Sequence, residues 1–223
     1  MAVRSEVSNA VQDYAKAIWS LSQRGDEPVS TSALADRLEV SPASASAMIK
    51  RLESMGLVEH EPYHGVQLTR PGERVALEVL RHHRLLELYL AEALGMSWDR
   101  VHEEAEVLEH AISPALSELI AAKLGNPTHD PHGDPIPTAD GEIDEAPTRA
   151  LSDLEPGTSG VFVRVSDSDP DMLRYLADRG IAPGDRFEVL EREPFEGPLT
   201  VDFGGRSHVL GGALTHAMRT VTR

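Results

Sequence analysis

The chain has 223 residues, of which 40% are hydrophobic and only 4% aromatic, no cysteine, and a net charge of −16. That length allows one large or two small domains with aliphatic cores, and the lack of cysteine excludes disulfides, a catalytic thiol and thiolate metal ligands. The acidic balance excludes a generic nucleic-acid binder, and with no run of about 18 apolar residues and no charged-then-apolar leader the expectation is a cytoplasmic protein.

The charge is unevenly spread. Residues 1–84 hold ten Lys and Arg against eleven Asp and Glu, net −1, whereas residues 85–223 hold eleven against twenty-six, net −15. A DNA-binding face in the first part is compatible with these figures if its cations cluster.

Residues 7–24 read as a helix, in which Val11, Tyr14, Ala15, Ile18, Trp19 and Leu21 keep a helical period and Gly25 stops it. Asp13 stands one position before that stripe, where an isolated Asp is by default a surface carboxylate. Ser30, Thr31 and Ser32 offer N-caps for a short helix through Leu34, Ala35 and Leu38. Ser41 then caps a second helix whose first residue is Pro42, where the missing N–H costs nothing. It runs through Ile49, Leu52 and Met55 to Gly56. Two short helices joined by a tight turn make a helix-turn-helix.

The second helix opens on small residues, Ala43, Ser44, Ala45, Ser46 and Ala47, all expected to be exposed, with Lys50 and Arg51 one turn on. Small residues let a helix enter a major groove, and the cations beyond reach phosphates. The candidate DNA-contacting residues are therefore Ser41, Ser44, Ser46, Ala47, Lys50 and Arg51. Residues 57–61 and 66–69 alternate like strands about a turn, a β-hairpin that completes a winged helix. Tyr63 and His64 at its tip are placed to touch the DNA backbone.

Thr69 caps a long helix with Pro71 near its start, carrying Leu77, Leu80, Leu85, Leu88 and Leu94 and closed by Gly95. Ser97 is expected to cap the next helix, and Ser113-Pro114 opens another that ends at Gly125. These helices hold more Leu, Val and Ile than one packed face needs, which points to dimerisation.

The stretch 102–110 lies in the middle of these helices. On one helix, His102, Glu106, Glu109 and His110 run along one face or its edge, while Val107 and Leu108 turn toward a core. On the preceding helix His83 and Glu87 stand four apart; His82 pairs with Leu86 by that spacing and is set aside. Neutral imidazole nitrogens and charged carboxylate oxygens are the donors a divalent cation needs. Two adjacent helices, each with a His/Glu pair, point to one or two metal sites.

Residues 126–148, rich in Pro, Gly and acids, read as a linker that builds no core, with His129 and His132 as ordinary polar loop residues. From residue 149, short strands at 161–165, 186–192, 199–203 and 208–210 with a helix at 170–179 make a small, mostly β barrel.

These parts, with the run Arg81-His82-His83-Arg84-Leu85-Leu86-Glu87, the run 101–110 and the loop His132-Gly133-Asp134-Pro135-Ile136-Pro137, resemble the diphtheria toxin repressor family of metal-dependent transcriptional repressors. The likeness spans nearly the full length. It implies a mainly α fold with a small β part. Its divisions are a winged helix-turn-helix over 1–72, a helical dimerisation and metal-binding domain over 73–125, a linker over 126–148 and a FeoA-like β-barrel over 149–223. It implies a homodimer on a palindromic double-stranded operator, with one or two dimers to an operator.

The resemblance assigns one metal site to His83, Glu87 and His102, with the barrel adding ligands near Asp169 or Asp171. It assigns a second to Asp13, Glu106, Glu109 and His110. The manganese-responsive branch has Asp and Glu where the iron-responsive branch has Met and Cys. Asp13 and Glu106 therefore imply Mn(II) and manganese homeostasis, with Fe(II) as the alternative and Co(II) or Zn(II) binding in vitro. Short manganese regulators carry a second carboxylate one turn after the Asp; Lys16 stands there in this chain. Oxygen-rich sites independently suit Mn(II), the weakest binder of the divalent series. An enzyme is not expected. At this cluster there is no Glu-x-x-His of the kind helical di-iron enzymes use, since Val107 stands three before His110, and no nucleophile–base pair or Gly-rich phosphate loop appears.

Overall fold

The computed structural model describes residues 7–23, 28–61, 64–144, 146–195 and 197–222. They fall into two compact units, Met1–His82 with Pro137–Glu142, and His83–Ile136 with Ile143–Arg223.

In the first unit, α1 (Asn9–Ser22), α2 (Thr31–Arg37) and α3 (Pro42–Ser54) pack around Val11, Ile18, Leu34, Ile49 and Leu52. The local signals hold. Ser30 accepts a hydrogen bond from the Ala33 N–H and Ser41 from the Ser44 N–H, each at 3.1 Å, with Pro42 opening α3. Each cap satisfies one of the amides a helix start leaves unpaired. Strands β1 (Val58–Glu61) and β2 (Gly65–Leu68) pair antiparallel from Val58↔Leu68 to Glu61↔Gly65, the wing of the winged helix. Tyr63 and Gly25 lie outside the described residues. Thr69 Oγ1 accepts from the Gly72 N–H at 3.3 Å at the start of α4 (Arg70–Leu94), whose first half completes this unit.

The second unit holds the rest of α4 with α5 (Val101–Leu108) and α6 (Pro114–Lys123), packed through Leu85, Leu86, Leu88, Ala105, Ile120 and Ala121. Ser113 caps α6 as expected, accepting from the Leu116 N–H at 3.1 Å. Three expectations need correction here. Ser97 does not cap α5: Arg100 holds the N-cap position without a side-chain bond, while the Ser97 carbonyl closes a turn with the Arg100 N–H. The helix ends at Leu108, so Glu109 is its C-cap and His110 lies in the following turn. Val107 is 73% exposed rather than turned to a core.

The stretch read as a coreless linker is also different. Ile136 packs into the helical core, and Asp130 and His132 are buried. A loop rich in proline orders cheaply, because little backbone freedom is left to lose.

Beyond it come β3 (Arg149–Ala150), β4 (Ser159–Val165), α7 (Pro170–Ala177), β5 (Arg186–Arg192), β6 (Leu199–Phe203), β7 (Arg206–Leu210), α8 (Gly212–Ala217) and β8 (Met218–Thr222). The strands form one antiparallel sheet in the order β3-β8-β4-β5-β6-β7, closed over Leu151, Phe162, Leu173, Leu176, Val189, Val201 and Met218. The four strands and the helix read from sequence are present, and β3, α8 and β8 are additional. Among the described residues, no helix is long and apolar enough to cross a membrane.

Candidate metal centre

Helical spacing on α4 sets His83 and Glu87 on one face, and both are buried. Helix α5 brings His102 against them, and the chain just past β4 brings Asp167. Glu87 Oε1 lies 3.0 Å from His83 Nε2 and 3.2 Å from His102 Nδ1, and the two ring nitrogens are 3.1 Å apart. Asp167 Oδ2 is 3.0 Å from His102 Nδ1. His83, Glu87, His102 and Asp167 thus each offer a ligand atom within 4.8 Å of the others.

Two further groups in this unit meet the same spacing. Glu87 joins Asp130 and His132, all three buried, and His83 joins Glu106 and Glu109. In the last group His83 Nδ1 is 2.5 Å from Glu109 Oε2, while Glu109 Oε1 is 3.6 Å from His110 Nε2. Glu106 Oε1 is 3.7 Å from His102 Nε2.

The protonation states follow from this crowding. Burial opposes ionisation of Glu87, but the His83 charge, hydrogen bonds with His102 and His83 and the facing His132 ring hold its carboxyl well below the usual range. Burial disfavours a charged His102, yet Asp167 and Glu87 raise it to about 10. His132 is likewise disfavoured by burial and raised to about 9 by Glu87, Asp130 and the Trp98 carbonyl. Asp167, opposed by burial, is drawn down to about 2 chiefly by His102. Asp130 goes the other way: burial and the neighbouring Glu87 and Asp134 charges push it well above the carboxylate range. Protons on the imidazoles are what balances the ionised carboxylates here.

The 128–137 loop is tightly held. Asp130 Oδ1 accepts from the backbone N–H groups of His132 and Asp134, at 2.8 and 2.9 Å. Arg84 donates to the Pro135 carbonyl and to Asp134 Oδ1. His132 Nε2 lies 2.8 Å from the Trp98 carbonyl, and its ring stacks on Trp98 at 5.9 Å. Its Nδ1 faces Glu87 Oε2 at 3.7 Å, too far for a hydrogen bond, and both atoms are buried without a hydrogen-bond partner. A buried carboxylate oxygen and a ring nitrogen facing each other across such a gap are suited to a cation between them.

The structure brings together, of the residues picked from sequence, His83, Glu87, His102, Glu106, Glu109 and His110. Asp169 is placed differently: its carboxylate caps α7, accepting from the Asp171 and Met172 N–H groups, and Asp167 takes the position beside His102. Asp171 is exposed and pairs with Arg174. His132 is not an ordinary loop residue but a wholly buried one, whereas His129 is exposed. Asp130, His132 and Asp167 are therefore the residues missed. One signal was available: Asp169-Pro170 repeats the cap-then-proline pattern of Ser41-Pro42, which commits Asp169 to a helix start. In the first unit, Asp13 and Lys16 are half-buried on α1. On α3, Ser41, Ser44, Ser46, Ala47, Lys50 and Arg51 are exposed, but Ala45 is buried in the core, against expectation.

A winged helix with an exposed, small-residue helix in one unit, and a buried His/carboxylate cluster in the other, define a metal-binding, DNA-binding regulator. The chain belongs to the iron-dependent repressor family, that of the diphtheria toxin repressor: metal-dependent, DNA-binding transcriptional repressors, not enzymes, with a dimerisation domain. Residues 6–66 match the family described as iron dependent repressor, N-terminal DNA binding domain. Residues 69–138 match its metal binding and dimerisation domain, and residues 149–218 the FeoA domain. The iron-dependent repressor IdeR of Mycobacterium tuberculosis is 30% identical over 96% of this chain and 98% of its own length. The diphtheria toxin repressor of Corynebacterium diphtheriae is 28% identical over 96% of this chain and 97% of its own. Among solved structures, a manganese-dependent transcriptional repressor in complex with manganese is 45% identical, with a TM-score of 0.89, over 96% of this chain and 100% of that one. The manganese regulator SloR is 31% identical, with a TM-score of 0.76, over 96% and 98%.

Proposed function

We propose that this repressor is activated by Mn(II), acts as a homodimer on a palindromic operator and controls manganese homeostasis genes. The observation that carries the choice of metal is the donor set: Glu87, Asp130, Asp167, Glu106 and Glu109 supply oxygen, the histidines supply nitrogen, and the chain has no cysteine. The manganese-dependent repressors among its structural relatives support the same reading. Fe(II) is the alternative, favoured by the iron-dependent relatives.

The residues fit such an ion, because Glu87 Oε2 and His132 Nδ1 are buried without hydrogen-bond partners. One site would be held by His83, Glu87, His102 and Asp167 with Asp130 and His132, and a second by Glu106, Glu109 and His110, to which the family resemblance adds Asp13. The bound ion supplies positive charge among carboxylates that repel one another. His102 and His132 give up their protons to serve as ligands, and the freed carboxylate charges are then balanced without them. Ser44, Ser46 and Ala47 let α3 sit in a major groove, and Lys50 and Arg51 contact phosphate. An arrangement of the dimer favoured by occupied sites binds operator better, by the difference in metal affinity between its two arrangements.

The test is binding of the purified protein to its own promoter DNA at fixed salt, titrated with Mn(II), Fe(II), Co(II) and Zn(II) against a chelator control. Mn(II) should switch binding on at free concentrations where Fe(II) does not. Equal or better activation by Fe(II) would favour the alternative, and binding indifferent to chelator would refute metal control.

A further inference from the structure

We infer that Gly133 is a positioning residue of the metal centre: its missing side chain lets the 130–134 loop lie against β4, and this contact sets His132 opposite Glu87. The inference rests on the reading of His132 as a ligand.

Strand β4 pairs with β5 only at Ser159, Gly160 and Val161. Farther along, the Val165 N–H donates instead to the His132 carbonyl at 2.9 Å, so the loop takes over part of that edge. Gly133 follows directly, with φ of +87°, and a Cβ there would lie 1.9 Å from the Val163 carbonyl oxygen, 2.9 Å from its carbon and 3.0 Å from Arg164 Cα. All three atoms are backbone, so no rotamer change relieves the clash. Any side chain must push loop and strand apart by about an ångström to restore ordinary contact.

That displacement reaches the metal centre through one residue. His132 is fixed on its other sides, by the Asp130 carboxylate at its backbone N–H and by the Trp98 carbonyl at Nε2. Lifting its carbonyl from Val165 rotates a ring whose free nitrogen is aimed at Glu87. The β domain thus supplies the centre with Asp167 and, through Gly133, with the pose of a histidine from outside that domain. Outer residues that orient a ligand typically carry about 10- to 100-fold in metal affinity.

The experiment compares full-length wild type, Gly133→Ala, His132→Ala and Gly157→Ala by calorimetric titration with Mn(II), with bound Mn(II) counted by EPR. Gly157 also has positive φ, +85°, but nothing lies within 4 Å of its missing Cβ, so it controls for backbone strain alone. Gly133→Ala and His132→Ala should each weaken one class of site at least about tenfold and spare the other, while Gly157→Ala binds as wild type. If His132→Ala loses the site and Gly133→Ala does not, the inference falls and the ligand reading stands. If His132→Ala binds as wild type, the ligand reading falls and takes the inference with it. An equal loss in Gly157→Ala would assign the effect to strain and overturn the inference. Should Gly133→Ala fail to fold, hydrogen exchange of wild type decides. Saturating Mn(II) should slow exchange in the peptide bearing the Val165 amide at least about tenfold, and an unchanged rate overturns the inference.

Discussion

Three histidines, His83, His102 and His132, face the two oxygens of a single carboxylate, Glu87, which is 0% exposed. Without metal, this residue and its neighbours set a distinctive pH dependence. His102 and His132 are raised from 6.5 to about 10 and about 9, so the stability they contribute is full below about pH 6.5 and lost as pH climbs through 9 to 10. Asp167, lowered from 3.8 to about 2, contributes above the ordinary carboxylate range and loses this only in acid. The melting temperature of chelator-treated protein should therefore fall by roughly 5 °C or more between pH 7 and 10, by differential scanning calorimetry. Protein saturated with metal should lose far less, since the protons are already gone. At this scale the sequence was half legible. Helical spacing marks His83 with Glu87, and a dense run marks 102–110. Asp167 and His132 carry no periodic signal, because a loop residue's burial depends on which distant strand it meets.

At the scale of elements, the cap-and-proline signals were the most reliable, because they are closed within four residues. Ser41 does two things at once: it caps α3 and its hydroxyl lies 2.8 Å from Ser44 Oγ. Ser41→Ala should cost about 1 kcal/mol in denaturant unfolding and weaken operator binding at the same time, because it frays the end of the helix that enters the groove. Ser113→Ala, capping α6 in the other unit, should cost a similar amount without a direct effect on DNA contact. An unchanged midpoint for both would mean the caps are replaced by water. Helix α5 shows why the run 102–110 was overextended: it has no side-chain cap and only eight residues. Strands β3 and β8 were missed because they pair Arg149 with Thr220, a contact no local pattern announces.

For the molecule as a whole, the helices of the second unit leave Leu94, Val107, Leu116 and Leu119 exposed, the last at 68%. In a chain of a dimerising family, exposed apolar side chains of this kind are the ones to test as contacts with another subunit. Leu119→Glu should shift sedimentation from dimer toward monomer and weaken operator binding at least tenfold, leaving the far-UV spectrum unchanged. A variant that remains dimeric would place the interface elsewhere. The count of these apolar residues was legible in sequence, but the division into units was not. It falls inside α4, between His82 and His83, and returns at Pro137–Glu142, where composition gives no sign.

The stacking of Trp98 on His132 also bears on how the protein can be watched. The chain has two tryptophans, and the other, Trp19, lies on α1 in the first unit. The two rings are nearly parallel, at 17°, and indole emission is quenched more strongly by an imidazolium than by a neutral imidazole. With Trp19 replaced by Phe, the remaining fluorescence becomes a gauge of one histidine's proton. A closed-shell ion such as Zn(II) that removes this proton brightens the protein, so the state of the buried loop can be followed as light from a single side chain.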